Sequence, residues 1–294
     1  MLTISSRLRT AALATIVRSQ PLRLLSAAAP AVDNILTLEE RQTSDTEQPS
    51  SSYTLTMSSP PANTFTEAFL LQFIDAMHQL RERRHVRSLV IKSSLPTIFS
   101  SGFDLNTLCR PASRNQLKDF LKLFREAFYS LYTAPFYTVA QIAGHAPAGG
   151  CALALACDYR VALDSDKIKI GLTPTKVGIT PPEWLIRLAE SRFSSPHACE
   201  RAVLPAQLHT PRQALALGLV DILAKDSDAL DQAAGRQLSR VHATDPRAIN
   251  SVRSLLSRPV LGAMSDETDL DQFVDSVLRP ECQQLLAGAL QRMA

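Results

Sequence analysis

Between Gly144 and Asp158 the chain reads GHAPAGGCALALACD, and no other stretch limits its folds so sharply. Every residue from Gly149 to Cys157 is small or apolar, so the run has no face that belongs in water. It is also far short of the roughly 20 residues that a bilayer span needs. What remains is a helix opening at Gly149-Gly150, just after Pro147, and wrapped by protein on all sides. N–H groups at a helix start have no internal partner and carry partial positive charge. Glycine there lets a ligand oxygen come close, and it equally permits a tight helix–strand contact. Both readings are open at this point.

Strand-like and helix-like segments alternate around this helix. Tyr53, Leu55 and Met57 alternate with Thr and Ser at the period of a half-buried strand, which the turn SSPPAN closes. Thr64 with Glu67 has the spacing of a capping box, and Leu70, Ile74, Met77 and Leu80 follow at helical spacing. Ser88–Lys92, Thr138–Ile142, Tyr159–Leu163 and Ile168–Leu172 are further strand candidates, with helical patterns over Asn115–Tyr132 and Gly149–Cys157. Past Glu183 the pattern is helical: Trp184–Leu188, Pro196–Val203, Pro211–Leu217, Leu230–His242, Ala248–Leu256 and Leu270–Met293. An α/β fold with a C-terminal helical layer is predicted.

At 294 residues, 45% hydrophobic and 20% charged, the chain can bury one sizeable core or two modest ones. Its net charge of +3 comes from the N-terminus, where Arg7, Arg9, Arg18 and Arg23 precede the first acid, Asp33. A general affinity for nucleic acid is therefore not implied, and the run RERRHVR, with Arg81, Arg83, Arg84 and Arg87 around Glu82, reads as a solvated helix end. Residues 1–30 are Ser-, Ala- and Arg-rich without acids, as in a mitochondrial presequence, and 31–52 read as a polar linker. The expected destination is the mitochondrial matrix. No later apolar run is long enough for a membrane span. The five cysteines form no C-x-x-C pair, so neither a disulfide framework nor a metal site is suggested, and they read as small apolar fillers.

Two loops depart from what packing alone selects: IFSSGFDL (Ile98–Leu105), where a strand runs into a Ser-Gly turn, and the glycine corner above. IFSSGFDL followed by HAPAGGCALALACDYRVA resembles the paired oxyanion loops of the crotonase (enoyl-CoA hydratase/isomerase) superfamily. With PANTF, GLTPTKVG and the Trp184 helix, the pattern is similar to its mitochondrial enoyl-CoA delta isomerases. The resemblance implies a spiral of ββα repeats over 53–245 and a C-terminal helical trimerisation layer over 246–294. It implies that the backbone N–H groups of Phe103 and Gly149 hold the thioester oxygen of an acyl-CoA, with Ser101, Gly102, Asp104, Leu105, Gly150 and Thr173 around the substrate. No cofactor is implied beyond the coenzyme A of the substrate itself. The partners expected are acyl-CoA and two further copies of the chain, as a homotrimer.

The departures concern the base. Hydratases of the superfamily carry a glutamate where this chain has Ala152, and adding water needs both a base and an acid. Isomerases need one group, which removes a proton and returns it two carbons away. The resembled isomerases place it in a GLxExxxG context, where this chain has Pro174; others place it on the next helix, where Pro182 stands and Glu183 follows. A one-residue offset turns a helical side chain through roughly 100°. Glu183 is the expected base, with the helix start absorbing the offset and Trp184 as a dry wall raising its pKa. The plain alternative is a first-turn acid satisfying helix N–H groups. His145 and Asp104 read as structural, Asp158 as a cap, and Thr173 as too weakly acidic to act alone. The predicted function is isomerisation of a β,γ-enoyl-CoA in fatty-acid β-oxidation. A non-catalytic acyl-CoA-binding homologue or structural trimer subunit, and then a hydratase, are the alternatives.

Overall fold

The computed structural model describes residues 34–42, 51–111 and 113–293. The expected presequence lies outside the described residues. Its long strands are β2 (Ser51–Met57), β4 (Val86–Ser93), β6 (Tyr137–Ile142), β8 (Tyr159–Leu163) and β10 (Ile222–Ala224), parallel neighbours in that order. An antiparallel strand, β1 (Leu36–Gln42), pairs with β2 from Leu36↔Met57 to Gln42↔Ser51. β1 lies within the segment expected as a linker. Its backbone completes the β2 edge and Leu36 joins the core, so this part of the segment is sheet.

After each of the first four parallel strands comes a short strand in a second layer: β3 (Thr64–Phe65), β5 (Gly102–Phe103), β7 (Ala146–Pro147) and β9 (Ile170–Gly171). β3 pairs with β5 and β7 with β9, both in parallel, and a single bridge between Ile98 and His145 links the two pairs. Helices follow three of these short strands: α1 (Glu67–Glu82), then α2 (Leu105–Leu108) with α3 (Arg114–Tyr132), then α4 (Gly149–Ala156). The repeating unit is long strand, short strand, helix, which is the ββα spiral that the resemblance implied.

Alternation in the long strands sets the layers. Leu89 and Ile91 of β4 join the main core with α1, α3 and α4, while Val90 faces the other way with Val139 and Val161. That second face is covered by α8 (Ser227–His242) through Leu230, Ala234 and Leu238. All eight residues of α4 are buried, as its composition required. The predicted capping box of α1, Thr64 with Glu67, does not form, and the helix has a simple N-cap. Thr64 is spent in β3, and Thr66 caps instead, its Oγ1 accepting from Phe69 N–H at 3.1 Å.

The remaining helices are α5 (Glu183–Arg192), α6 (Pro196–Val203), α7 (Pro211–Leu217), α9 (Pro246–Leu256), α10 (Arg258–Met264), α11 (Glu267–Leu278) and α12 (Pro280–Met293). The single helix expected over Leu270–Met293 is two, because Pro280 has no N–H to continue α11. α10 packs on α5 and α11 on α3, so the C-terminal layer lies over the elements that surround α4.

Candidate functional site

Gly102 and Gly149 touch. A methyl group on Gly102 would stand 2.4 Å from Gly149 N and 2.7 Å from its Cα, and one on Gly149 would meet the Phe65 ring at 2.8 Å. Gly102 also sits at φ 83°, a region that side chains disfavour. The close helix–strand contact read as one role of these glycines is therefore present. It also brings the segments that carry Phe103 and Gly149 together. Asp104 N–H donates to Phe65 O at 3.4 Å across the β3–β5 ladder, and alternate groups of a strand point to opposite edges. The Phe103 N–H, one residue earlier, therefore points away from β3. At Gly149 the N–H has no partner within the helix, since the first such bond of α4 runs from Ala152 N–H to Ala148 O at 3.1 Å.

Ala148 precedes α4 with φ 49° and ψ −120°, an unusual conformation for a residue with a side chain. Its N–H donates to Gly171 O at 2.8 Å. The third loop, GLTPTKVG, is thereby tied to the start of α4, with half-buried Thr173 two residues beyond Gly171. Pro174 opens a 3-10 turn, Pro174–Val177, and Gly178 ends it at φ 75°.

Other predicted residues sort themselves by their bonds. Asp104 is committed to its turn: one oxygen accepts from Asn106 N–H at 3.2 Å and the other from the Thr107 hydroxyl at 3.0 Å. That occupies its carboxylate as the cap of α2, whose first residue is Leu105. Ser100 accepts from Gly102 N–H and donates to Asn63 O, while the buried Ser101 Oγ has no partner. Gly150 packs so closely that a methyl there would lie 1.9 Å from Ser100 O. His145 is structural, its Nδ1 accepting from Lys169 N–H at 3.2 Å. Asp158 caps β6 by accepting from Thr138 N–H at 2.8 Å and pairs with Arg253 at 2.8 Å. Burial pushes the Cys151 and Cys157 thiols up to about 12, so both are inert packing groups.

Glu183 does not stand where a substrate-facing base would. Its side chain is 54% exposed and pairs with Arg187 at 3.0 Å. Trp184, Leu185, Leu188 and Ala189 form the buried face of α5, and Glu183, Arg187 and Glu190 line its outer face. The two prolines leave the roughly 100° offset uncorrected, so the carboxylate turns to solvent. Nor does Trp184 wall it in, because the indole packs between Phe124 and Phe128, with centroids at 5.6 and 5.4 Å.

The acid that the structure does bury is Asp269 on α11, the one buried acid among the described residues. Its Oδ1 accepts from Glu183 N–H at 2.7 Å, capping α5 from another helix. Burial raises its pKa, the Glu183 N–H opposes that rise, and the negative charge of Glu183 adds to it. In sequence Asp269 looks like any first-turn acid, and only its neighbours in space distinguish it.

The sequence profile of the enoyl-CoA hydratase/isomerase family matches residues 47–275, so the chain belongs to that family. Within it, the chain is similar to enoyl-CoA delta isomerase 1, mitochondrial, of Homo sapiens, with 28% identity over 80% of this chain and 77% of that protein. It is 32% identical to the fatty acid oxidation complex subunit alpha of Aliivibrio fischeri over 54% of this chain and 23% of that one. The crystal structure of human mitochondrial delta3-delta2-enoyl-CoA isomerase matches with a TM-score of 0.78 at 27% identity, covering 82% of this chain and 93% of that one. An enoyl-CoA hydratase from Bacillus halodurans shares the fold, with a TM-score of 0.74 at 22% identity over 85% of this chain and 99% of that one.

Proposed function

We propose that this protein is an enoyl-CoA isomerase of fatty-acid β-oxidation, shifting a β,γ (Δ3) double bond to the trans-α,β (Δ2) position. The reading is supported by the contact between Gly102 and Gly149, from which we take the backbone N–H groups of Phe103 and Gly149 as the paired donors. Loss of a proton α to a thioester makes an enolate. Two fixed donors on its oxygen are each worth about 10²–10³ in rate. The substrate's own coenzyme A is the only carrier this chemistry uses, and Ser101 and Thr173 are polar side chains we assign to substrate contact. Buried Ala152 removes one carboxylate of the hydratase pair, which favours isomerisation over hydration.

Purified protein given a 3-enoyl-CoA is expected to produce the conjugated 2-enoyl-CoA, followed by its ultraviolet absorbance. Absence of product would reject the isomerase. One observation favours a second reading, an acyl-CoA-binding subunit without turnover: Glu183 faces solvent while Ala152 and Pro174 fill the usual glutamate positions. Binding of acyl-CoA without conversion would establish that reading.

A homotrimer fits α9, which buries none of its residues and exposes Val252, Leu255 and Leu256. Light scattering would measure its mass. A matrix location accords with the names of the mitochondrial relatives and the acid-free N-terminus. Removal of residues 1–30 is expected to leave the protein in the cytosol.

A further inference from the structure

The segment that follows Phe103 has little support of its own. After Asp104 the chain makes a single turn of helix, α2, closed by Cys109 N–H on Leu105 O at 2.8 Å. So short a helix leaves its last carbonyls without internal partners. The chain then leaves through Arg110 at φ 54°, a left-handed conformation that costs a residue with a side chain. Such a residue persists where its surroundings hold it.

One side chain from the C-terminal layer meets both needs. Gln283 of α12 accepts the Arg110 N–H on Oε1 at 2.6 Å and donates from Nε2 to Leu108 O at 3.0 Å. Nε2 also donates to Val277 O at 2.8 Å, at the end of α11. The oxygen and both N–H groups of the amide are thus engaged. A flipped amide would set its N–H groups against the Arg110 N–H and its oxygen against two carbonyls, so the orientation is fixed by its partners.

α12 is itself anchored on the third loop. Arg279, whose carbonyl accepts the Gln283 N–H at 3.0 Å, donates from Nη2 to Gly178 O at 2.9 Å and to Thr180 Oγ1 at 3.1 Å. A methyl on Gly178 would stand 3.4 Å from Cys282 Cα, so the loop and the helix touch there. Cys282 and Leu286 are buried beneath α12. Gln283 therefore reaches α2 from a helix fixed to the third loop, and that loop is bonded to the start of α4 through Ala148 N–H and Gly171 O.

From these bonds we infer, resting on the isomerase reading, that Gln283 is a positioning residue for the isomerisation. It holds α2, and through α2 the Phe103 end of the corner, in place against Gly149. Gln283 touches no reacting atom. What it supplies is the fixed placement of a backbone donor, and a donor misplaced by about 1 Å can cost about 10² in rate.

Gln283→Met keeps the length of the side chain and removes all three bonds. Its kcat is expected to fall by about 10- to 100-fold with KM within about threefold. The carbonyl stretching frequency of a bound saturated acyl-CoA, isotope-labelled at the thioester, reads the donors without turnover. Wild type should lower it relative to the free thioester, and Gln283→Met should return it toward the free value. Gln283→Glu keeps the acceptor for Arg110 N–H but loses the donors, and should fall between the two in both readouts. Gln284→Ala, at the exposed neighbour, should match wild type within about twofold in kcat and leave the frequency unchanged. Gln283→Met that lowers the melting temperature but keeps the wild-type kcat and frequency would overturn the inference, leaving a structural strut. Should Gln283→Met fail to fold, wild-type values of both in Gln283→Glu would overturn it equally. Wild type that lowers the frequency without isomerising would reject the isomerase, and loss of that shift in Gln283→Met would still support Gln283 as the residue that places the donor. A wild-type frequency equal to that of the free thioester would overturn the assignment.

Discussion

The glycine corner and the aromatic wall beneath the C-terminal layer are built on opposite principles. At the corner, backbone meets backbone: Gly102 lies against Gly149, and Gly150 against Ser100 O. The Gly102–Gly149 contact itself is backbone on backbone, so its shape depends on what is missing, a Cβ. At the wall, Phe103, Phe124, Phe128, Trp184 and Phe273 interlock ring on ring, with centroids 4.5 to 6.1 Å apart. The Asp269 carboxylate borders Phe124, Trp184 and Phe273 of this wall, with the Arg125 side chain beside it. The corner tolerates no addition, whereas the wall tolerates exchange of bulk but not of polarity. Comparing substitutions in the two regions is the direct way to break that contrast.

The largest effect is expected at the corner. Gly102→Ala drives a methyl into Gly149 N at 2.4 Å and forces φ 83° on a residue with a side chain. Turnover should fall by more than about 10³, because both donors move and each contributes about 10²–10³. Gly149→Pro deletes one donor outright and should do the same. Phe103→Leu retains its N–H and should keep substantial activity, although it loses ring contacts in the wall. Steady-state kinetics on the three variants test the contrast; a Phe103→Leu enzyme as dead as Gly102→Ala would show that the ring, not the backbone, makes the corner.

This contrast also explains what can be read in the sequence. IFSSGFDL and APAGGC are legible because a backbone corner needs glycine at fixed places within two short segments. The buried α4 is legible because GGCALALAC offers water nothing. β1 is not: LTLEERQ has few apolar residues, and its backbone pairing with β2, not its pattern, makes it a strand. Asp269 escapes notice because its distinction comes from Phe124, Pro182 and Trp184, which lie far back along the chain and meet it only in the fold. Glu183 is misread for a smaller reason. Which way a first-turn side chain faces depends on how Pro181 and Pro182 enter the helix, and that entry is a backbone path the residue pattern does not display.

A middle-sized effect is expected in the wall, and its sign depends on pH. Folded Asp269 holds its proton more tightly than the unfolded chain does, because burial raises its pKa above the reference of 3.8. Its contribution to stability is thus fully present below that reference and is lost as pH rises through the raised folded value. Asp269→Asn carries no charge to bury and still accepts from Glu183 N–H. Its melting temperature, taken relative to wild type, should therefore rise as pH increases above the reference value of 3.8. Asp269→Ala leaves the α5 N–H groups without their cap and should lose about 1–3 kcal/mol. The deficit of Gly102→Ala is steric and should not vary with pH. A pH-independent difference between Asp269→Asn and wild type would remove the carboxylate from the set of buried charges.

The smallest effect is expected at Glu183, outside both regions. Its carboxylate pairs with Arg187 across one helical turn, both half in water, and exposed pairs of this kind contribute little. Glu183→Gln keeps a polar first-turn side chain and leaves the N–H to Asp269 untouched, since that bond is made by its backbone. The melting temperature should shift by no more than about 1 °C, and added salt should shrink even that, because screening acts first on exposed charges. Turnover should be unchanged, since the outer face of α5 does not meet the rings around Phe103. If turnover instead fell by about 10²–10⁴ with acyl-CoA affinity intact, Glu183 would have to swing inward on binding, and α5 would have to unwind its first turn to let it. Amide exchange at Trp184 and Leu185 with and without acyl-CoA would expose that movement, because their N–H groups lose protection only if the turn opens.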